Sequence, residues 1–168
     1  MSEITTPRDL FLHELGDILW VEEKLENEVL PQLMEEVRDD ELKKGFEKHL
    51  RQTRGHIENV EQVFEKLGEE PKAEECIGFM GLRKEHDELL KESSFDLVDM
   101  VDAGAAARTE HYEIAAYESL IAMARGLDEK DVIPLLESNL KEEKETLHEV
   151  EKAARRLSKE SVKETAAS

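Results

Sequence analysis

The chain has a single cysteine, Cys76, in 168 residues, so no intrachain disulfide can staple it and a reducing compartment is expected. A small buried apolar role suits Cys76 better than a redox one. Aromatic residues are only 5%, too few for an aromatic-rich β-sandwich. With 4 prolines and 8 glycines, few breakers interrupt long helices. No run approaches the ~18 consecutive apolar residues of a membrane span, and MSEITTPRDLF lacks the apolar stretch of a secretory signal. Basic residues are the minority, 23 against 42 acidic, for a formal net charge of -19. Phosphate backbones and anionic lipid repel such a chain, so no nucleic-acid or membrane partner is expected. A cytoplasmic protein is the expectation.

What remains is rich in Glu, Lys, Leu and Ala, an all-α composition in a chain long enough for one core. Thr6-Pro7 with Asp9 in the first turn opens helix A, from Pro7 to about Val37, with a kink expected at Pro31. Asp39 and Asp40 separate it from helix B, about Glu41 to Leu67, which stops at Gly68. After the loop Glu69-Glu70-Pro71 a shorter helix spans about Glu74 to Glu92. Helix C then runs from about Phe95 to Leu127 and helix D from about Glu129 to Leu157. The bundle is expected over residues 1–158, with a polar C-terminal tail over 159–168. Tight A–B and C–D turns with one long B–C connection predict the ferritin-like variant of the four-helix bundle, its crossover carrying the extra helix.

Residues 41–61 align without gaps on 131–151, with Glu47/Glu137, Leu50/Leu140, Val60/Val150 and Glu61/Glu151 identical. That register sets Thr53 opposite Glu143 and His56 opposite Thr146. At ~100° per residue, the apolar stripe of helix B is Leu42, Phe46, Leu50, Ile57, Val60, Phe64 and Leu67. Thr53 is central to it, and His56 lies about 60° to one side. Glu22 sits within the stripe of helix A, Glu113 in that of helix C and Glu143 in that of helix D, with Glu110 on the inner flank one turn before Glu113.

The same geometry rejects two attractive strings. Glu145-x-x-His148 has a ligand spacing, yet Glu145 falls about 200° from Glu143 on the wet face. His111 points opposite Glu113. Tyr112 and Tyr117 read as core aromatics.

Carboxylates gathered in a bundle core cost several kcal/mol each unless neutralised. Oxygen-rich ligands with few imidazoles suit iron or manganese. The full di-iron pattern is one Glu from each of two helices and Glu-x-x-His from each of the other two. Here Glu22 and Glu113 fill the first pair, Glu110 adds Glu-x-x-Glu, and His56 and Glu143 supply the other helices. Thr53 stands where helix B should carry an acid and Thr146 where helix D should carry a histidine. Four carboxylates and one imidazole result, with Gln52 a possible amide ligand. The competing reading is a hydrogen-bonded polar core of protonated Glu residues with His56, Thr53 and Tyr112.

The runs FLHELGDILWVEEKL, FEKHLRQTRGHIENVEQVF, TEHYEIAAYESL and LLESNLKEEKETL resemble the YciF-like bacterial stress-protein family of the ferritin-like superfamily, over roughly residues 8–157. The resemblance implies a dinuclear metal centre, a homodimer and a stress-linked role. By position it carries metal ligation onto Glu22, His56, Glu110, Glu113 and Glu143. Members often have Glu-Glu-Thr where this chain has Arg51-Gln52-Thr53.

Two functions follow as expectations. One is a protein with two irons, or manganese in their place, that consumes peroxide or oxidises Fe(II) with O2 or peroxide as the small-molecule substrate. The other is a non-enzymatic dimeric stress or partner-binding bundle with a vestigial site.

Overall fold

The computed structural model describes residues 4–167. The described residues are helical apart from turns and short connections, in the order α1 (Pro7–Lys24), a π-helical turn (Leu25–Val29), α2 (Leu30–Glu36), α3 (Asp40–Leu67), α4 (Ile77–Glu92), a 3-10 turn (Phe95–Leu97), α5 (Val98–Gly126) and α6 (Ile133–Ala167). None of these helices is long and apolar enough to cross a membrane.

α1 starts where its caps dictate. Asp9 N–H donates to Thr6 Oγ1 (3.1 Å) and Thr6 N–H to the Asp9 carboxylate (2.9 Å), a reciprocal capping box. Pro31 falls in the first turn of α2, directly after a π turn in which Leu30 N–H reaches back to the Leu25 carbonyl. α3 is capped by Asp39 and ends at Gly68, whose φ of 74° only glycine adopts without strain.

Three boundaries depart from the sequence expectation. α4 begins at Ile77, because Glu74 N–H is committed to the Gly16 carbonyl (2.9 Å) and Cys76 Sγ caps the helix by accepting from Phe79 N–H (3.2 Å). α6 begins at Ile133, because Pro134 lacks an N–H and fits the first helical turn. It then continues to Ala167 rather than ending near Leu157. No Gly or Pro interrupts residues 158–167, and Arg156 pairs with Glu160 one turn on (3.0 Å).

The long helices α1–α2, α3, α5 and α6 form a four-helix bundle. At one end Arg8 donates to the Leu67 carbonyl (2.8 Å) and pairs with Glu129 (3.1 Å), joining the start of α1, the end of α3 and the turn after α5. At the other, Arg38 N–H donates to Asp99 (2.7 Å) and Arg156 to Asp39 (2.6 Å). Thus α3 ends where α5 does not begin, and the connection between them must run the length of the bundle. This is the single crossover that the element lengths predict. α4 lies within it, packed on α5, with Phe79 edge-on to Trp20 of α1 at 6.3 Å.

Buried residues recur at alternating steps of three and four. They include Phe11, Leu15, Ile18 and Glu22 on α1 with Leu25 at the start of the π turn; and Ala103, Ala106, Glu110, Glu113, Tyr117, Leu120 and Ala124 on α5. On α6 they are Leu136, Asn139, Glu143, Thr146, Val150 and Ala153. This spacing is the signature of closely aligned helices packed knob into hole.

The crossover loop presses on α1 at Gly16, where an added Cβ would stand 2.6 Å from the Lys72 carbonyl oxygen. Gly16→Ala is therefore expected to destabilise the protein by about 1–3 kcal/mol through overpacking. Gly45→Ala, at a helical position with nothing within 4 Å, should instead stabilise it by about 0.5–1 kcal/mol. Urea unfolding of both variants measures the contrast; equal effects would mean that the loop does not sit on Gly16.

Candidate metal centre

The helical stripes turn polar at one level, and there the structure assembles all five expected ligands. Glu22, Glu113 and Glu143 are 0% exposed, His56 1% and Glu110 3%. His56 Nδ1 stands 2.9 Å from Glu143 Oε1 and 3.3 Å from Glu22 Oε1.

A sixth residue joins them. His49 is buried, with Nε2 3.3 Å from Glu110 and 3.9 Å from Glu143. Sequence reasoning missed it by following Leu50 and Ile57 as the apolar stripe of this helix. In the structure those two are only partly buried, and His49, Thr53 and His56 face inward instead. The signal was available: His49 precedes His56 by seven residues, almost two full turns, and precedes Thr53 by one.

With His49 the inventory becomes four carboxylates and two imidazoles, the full di-iron count. Glu110 brings a fourth carboxylate to the layer where Thr53 offers none, and His49 a second imidazole where Thr146 offers none. Thr146 keeps a supporting place, its hydroxyl 3.4 Å from His49 Nδ1, leaving Nε2 to face the carboxylates. Gln52 lies outside the set, its Oε1 3.5 Å from the Thr146 hydroxyl. Glu145, His148 and His111 are exposed, as the helical angles require.

The six residues form two overlapping groups. His49, Glu110, Glu113 and Glu143 each offer a ligand atom within 4.8 Å of the others, and so do Glu22, His56 and Glu143. Glu143 belongs to both and is placed to bridge. Glu113 has no hydrogen bond on either oxygen, and Glu22 Oε2 and Glu110 Oε2 lack one; Glu143, His49 Nε2 and His56 Nδ1 meet at ion-pair distances of 2.9–3.9 Å without an aligned hydrogen bond. Buried polar atoms are rarely left this way, and so many converging on two points is the donor arrangement that cations satisfy. The residues present fit a dinuclear centre.

A second layer fixes the ligands. Tyr117 donates to Glu22, and Asn139 Nδ2 donates to the Tyr117 hydroxyl (3.0 Å) and to the His56 carbonyl (3.2 Å). His56 Nε2 lies 3.0 Å from the half-exposed Glu142. Tyr117 is thus a positioning group, beyond the core aromatic that its sequence suggests. Tyr112 bridges Asp17 (3.0 Å) and Cys76 (2.9 Å) on the outer side of α5.

Electrostatics follow from burial. Burial, and then the charge of Glu143, pushes Glu110 and Glu113 well above the usual carboxylate range. Burial also raises Glu22, with His56 opposing. On Glu143 burial acts upward too, but the imidazoles of His49 and His56 outweigh it and hold that carboxyl low. Burial alone would lower His56, yet Glu22 and Glu143 raise it to about 11. The metal-free cluster therefore holds protons on carboxyls where cations would replace them.

An apolar cavity of about 40 Å³ adjoins the cluster between the π turn, α4 and α5. Leu25, Phe79, Leu82, Ala106 and Thr109 line it, with Glu110 in its wall. It admits a molecule of water or dioxygen size to the flank of one ligand.

Residues 6–163 match a family model described as a domain of unknown function, DUF892. Protein YciF of Escherichia coli strain K12 is 34% identical over 143 residues, covering 84% of this chain and 86% of that protein. Two solved structures share the fold closely. YcfI from Rhodopseudomonas palustris superposes with a TM-score of 0.86 at 37% identity, covering 89% of this chain and 96% of its own. The Escherichia coli stress protein YciF gives 0.85 at 30% identity, covering 92% and 98%.

Because folded Glu113 keeps its proton to higher pH than the unfolded chain does, the stability of the metal-free protein falls as pH rises above the ordinary carboxylate value. Glu113→Gln removes that penalty. It should raise the melting temperature of the metal-free protein, with a gain that grows from about pH 5 to about pH 8 and reaches about 1–3 kcal/mol. A gain that shrinks with pH would show Glu113 ionised without metal.

Proposed function

The chain belongs to the YciF-like DUF892 family, and on that footing we propose that its buried cluster is a dinuclear iron centre, with manganese the alternative, that oxidises Fe(II) or consumes peroxide during stress. One observation carries this reading: six buried ligand atoms in two groups that share Glu143, most of them without a hydrogen bond. Loaded with two redox ions, such a site supplies electrons to O2 or peroxide.

The protein's own part is positional and protonic. Glu143 spans both groups, Glu113 and Glu110 hold one side with His49, and Glu22 and His56 hold the other. Thr146, Tyr117 and Asn139 fix the ring and carboxylate orientations. Glu110 stands at the cavity, where a small oxidant reaches the cluster without bulk water. Glu142 links His56 to the surface and offers a route for protons that metal uptake displaces.

The same proposal includes a cytoplasmic homodimer without nucleic-acid or membrane partners, which size-exclusion chromatography with light scattering reads. Exposed Ile77, Met80 and Phe95 in the crossover supply apolar surface for such a contact.

Anaerobic loading with Fe(II), followed by O2 or peroxide, tests the chemistry. Wild type is expected to bind two ions and oxidise them rapidly, and Glu113→Ala to lose at least tenfold in rate. His49→Ala should fall as far as His56→Ala, which distinguishes a ligand from a bystander. A reconstituted wild type that binds no iron, with an unchanged melting temperature, would favour the non-enzymatic bundle instead.

A further inference from the structure

A second set of ligand-bearing side chains lies outside the central layer. Glu36 ends α2, His86 is on α4 and Asp102 is in the second turn of α5; one ligand atom from each lies within 4.8 Å of the others. Asp102 is 0% exposed and His86 7%. The hydrogen-bonded pair His86 Nε2–Asp102 Oδ1 (2.9 Å) satisfies only half of the group. Asp102 Oδ2 and Glu36 Oε2 are buried and have no hydrogen-bond partner. A fully buried acid with one oxygen unpaired, beside a second carboxylate, is costly as it stands.

The outer partners of this group are those of a metal site. Asp87 Oδ1 stands 3.5 Å from His86 Nδ1, which favours a proton there and a lone pair on Nε2. Gln32 donates to Glu36 Oε1 (2.7 Å), leaving Oε2 as the inward atom. Gln32 is held in turn by Arg83 (3.0 Å). One imidazole and two carboxylates from three helices make a three-ligand set that water can complete.

We propose that Glu36, His86 and Asp102 form a second, mononuclear site for a divalent ion of the zinc class, separate from the central cluster. The ion replaces a proton between His86 and Asp102 and draws in Glu36. It thereby clamps the crossover helix α4 to α2 and α5. The site does not depend on the central pair being redox-active.

Zinc binding to the full chain, measured by chelator competition and elemental analysis, decides the matter. In a Glu113→Gln, Glu143→Gln background, one zinc equivalent should remain. His86→Gln or Glu36→Gln added to it should weaken that equivalent at least 100-fold. Glu36 is only partly buried, so its variant should fold even where a change at Asp102 does not. Asp87→Asn should cost roughly 10–100-fold, the usual effect of a supporting carboxylate. Zinc should slow hydrogen exchange in α4 of the background protein but not of its His86→Gln form. The proposal is overturned if the background binds no zinc, or if His86→Gln and Glu36→Gln bind it unchanged. Loss of oxidation in the central-site variants with this zinc retained would separate the two sites.

Discussion

Four carboxyl groups buried at one level of a four-helix bundle are the constraint to which the rest of this structure answers. Each costs several kcal/mol as an isolated charge, and His56 is the one strongly held cation within contact. The chain reduces the cost in three ways. Burial raises the pKa of Glu110 and Glu113 and so favours their neutral form, two imidazoles turn inward, and Tyr117 and Asn139 hydrogen-bond the oxygens and carbonyls nearby. None of these removes the unpaired oxygens of Glu113 and Glu143. A small, highly charged species would satisfy both at once, and the cluster is one that could hold a metal ion.

The bundle was legible because helix-forming residues, caps and breakers all agree. Thr6-Pro7, Asp39 and Gly68 mark ends that the backbone respects. Boundaries that slipped did so where tertiary contacts compete with local signals, as at Glu74, whose N–H is taken by Gly16. The carboxylates were legible too, because an acid within an apolar stripe contradicts its surroundings. His49 was harder. An angular stripe fitted to leucines can rotate by one residue, and at this level Leu50 and Ile57 yield the inner face to His49 and His56. What decides between them is the attraction of imidazole to buried carboxylate, an energy that no single helix contains.

That rotation also resolves the apparent gaps. Positions three or four residues apart on a helix share a face, so one helix can present two ligand-type side chains to the same layer. Glu110 and Glu113 share a face on α5, and His49 and His56 share one on α3. The two threonines are small and polar. Thr53 is fully buried at the layer, and the Thr146 hydroxyl stands beside His49 Nδ1. The acid absent from α3 at Thr53 is matched by Glu110 of α5, and the imidazole absent from α6 at Thr146 by His49 of α3, so the cluster is complete across helices and not within each one.

The crossover bears on the cavity beside Glu110. A connection between α3 and α5 has to travel the bundle's whole length, and α4 covers that side only as a separate layer. Separate layers pack less closely than the main helices do. At Gly16 the fit is tight, and Trp20 meets Phe79 edge-on, but between the π turn and α5 the cavity remains beside Glu110. The π turn widens the helix at the level where the cavity lies, and the alanines of α5 leave space opposite it. An open flank on the ligand layer is therefore a consequence of topology. Phe79, Leu82, Arg83 and His86 in its lining all belong to α4. Whatever holds α4 in place also sets how far that flank opens.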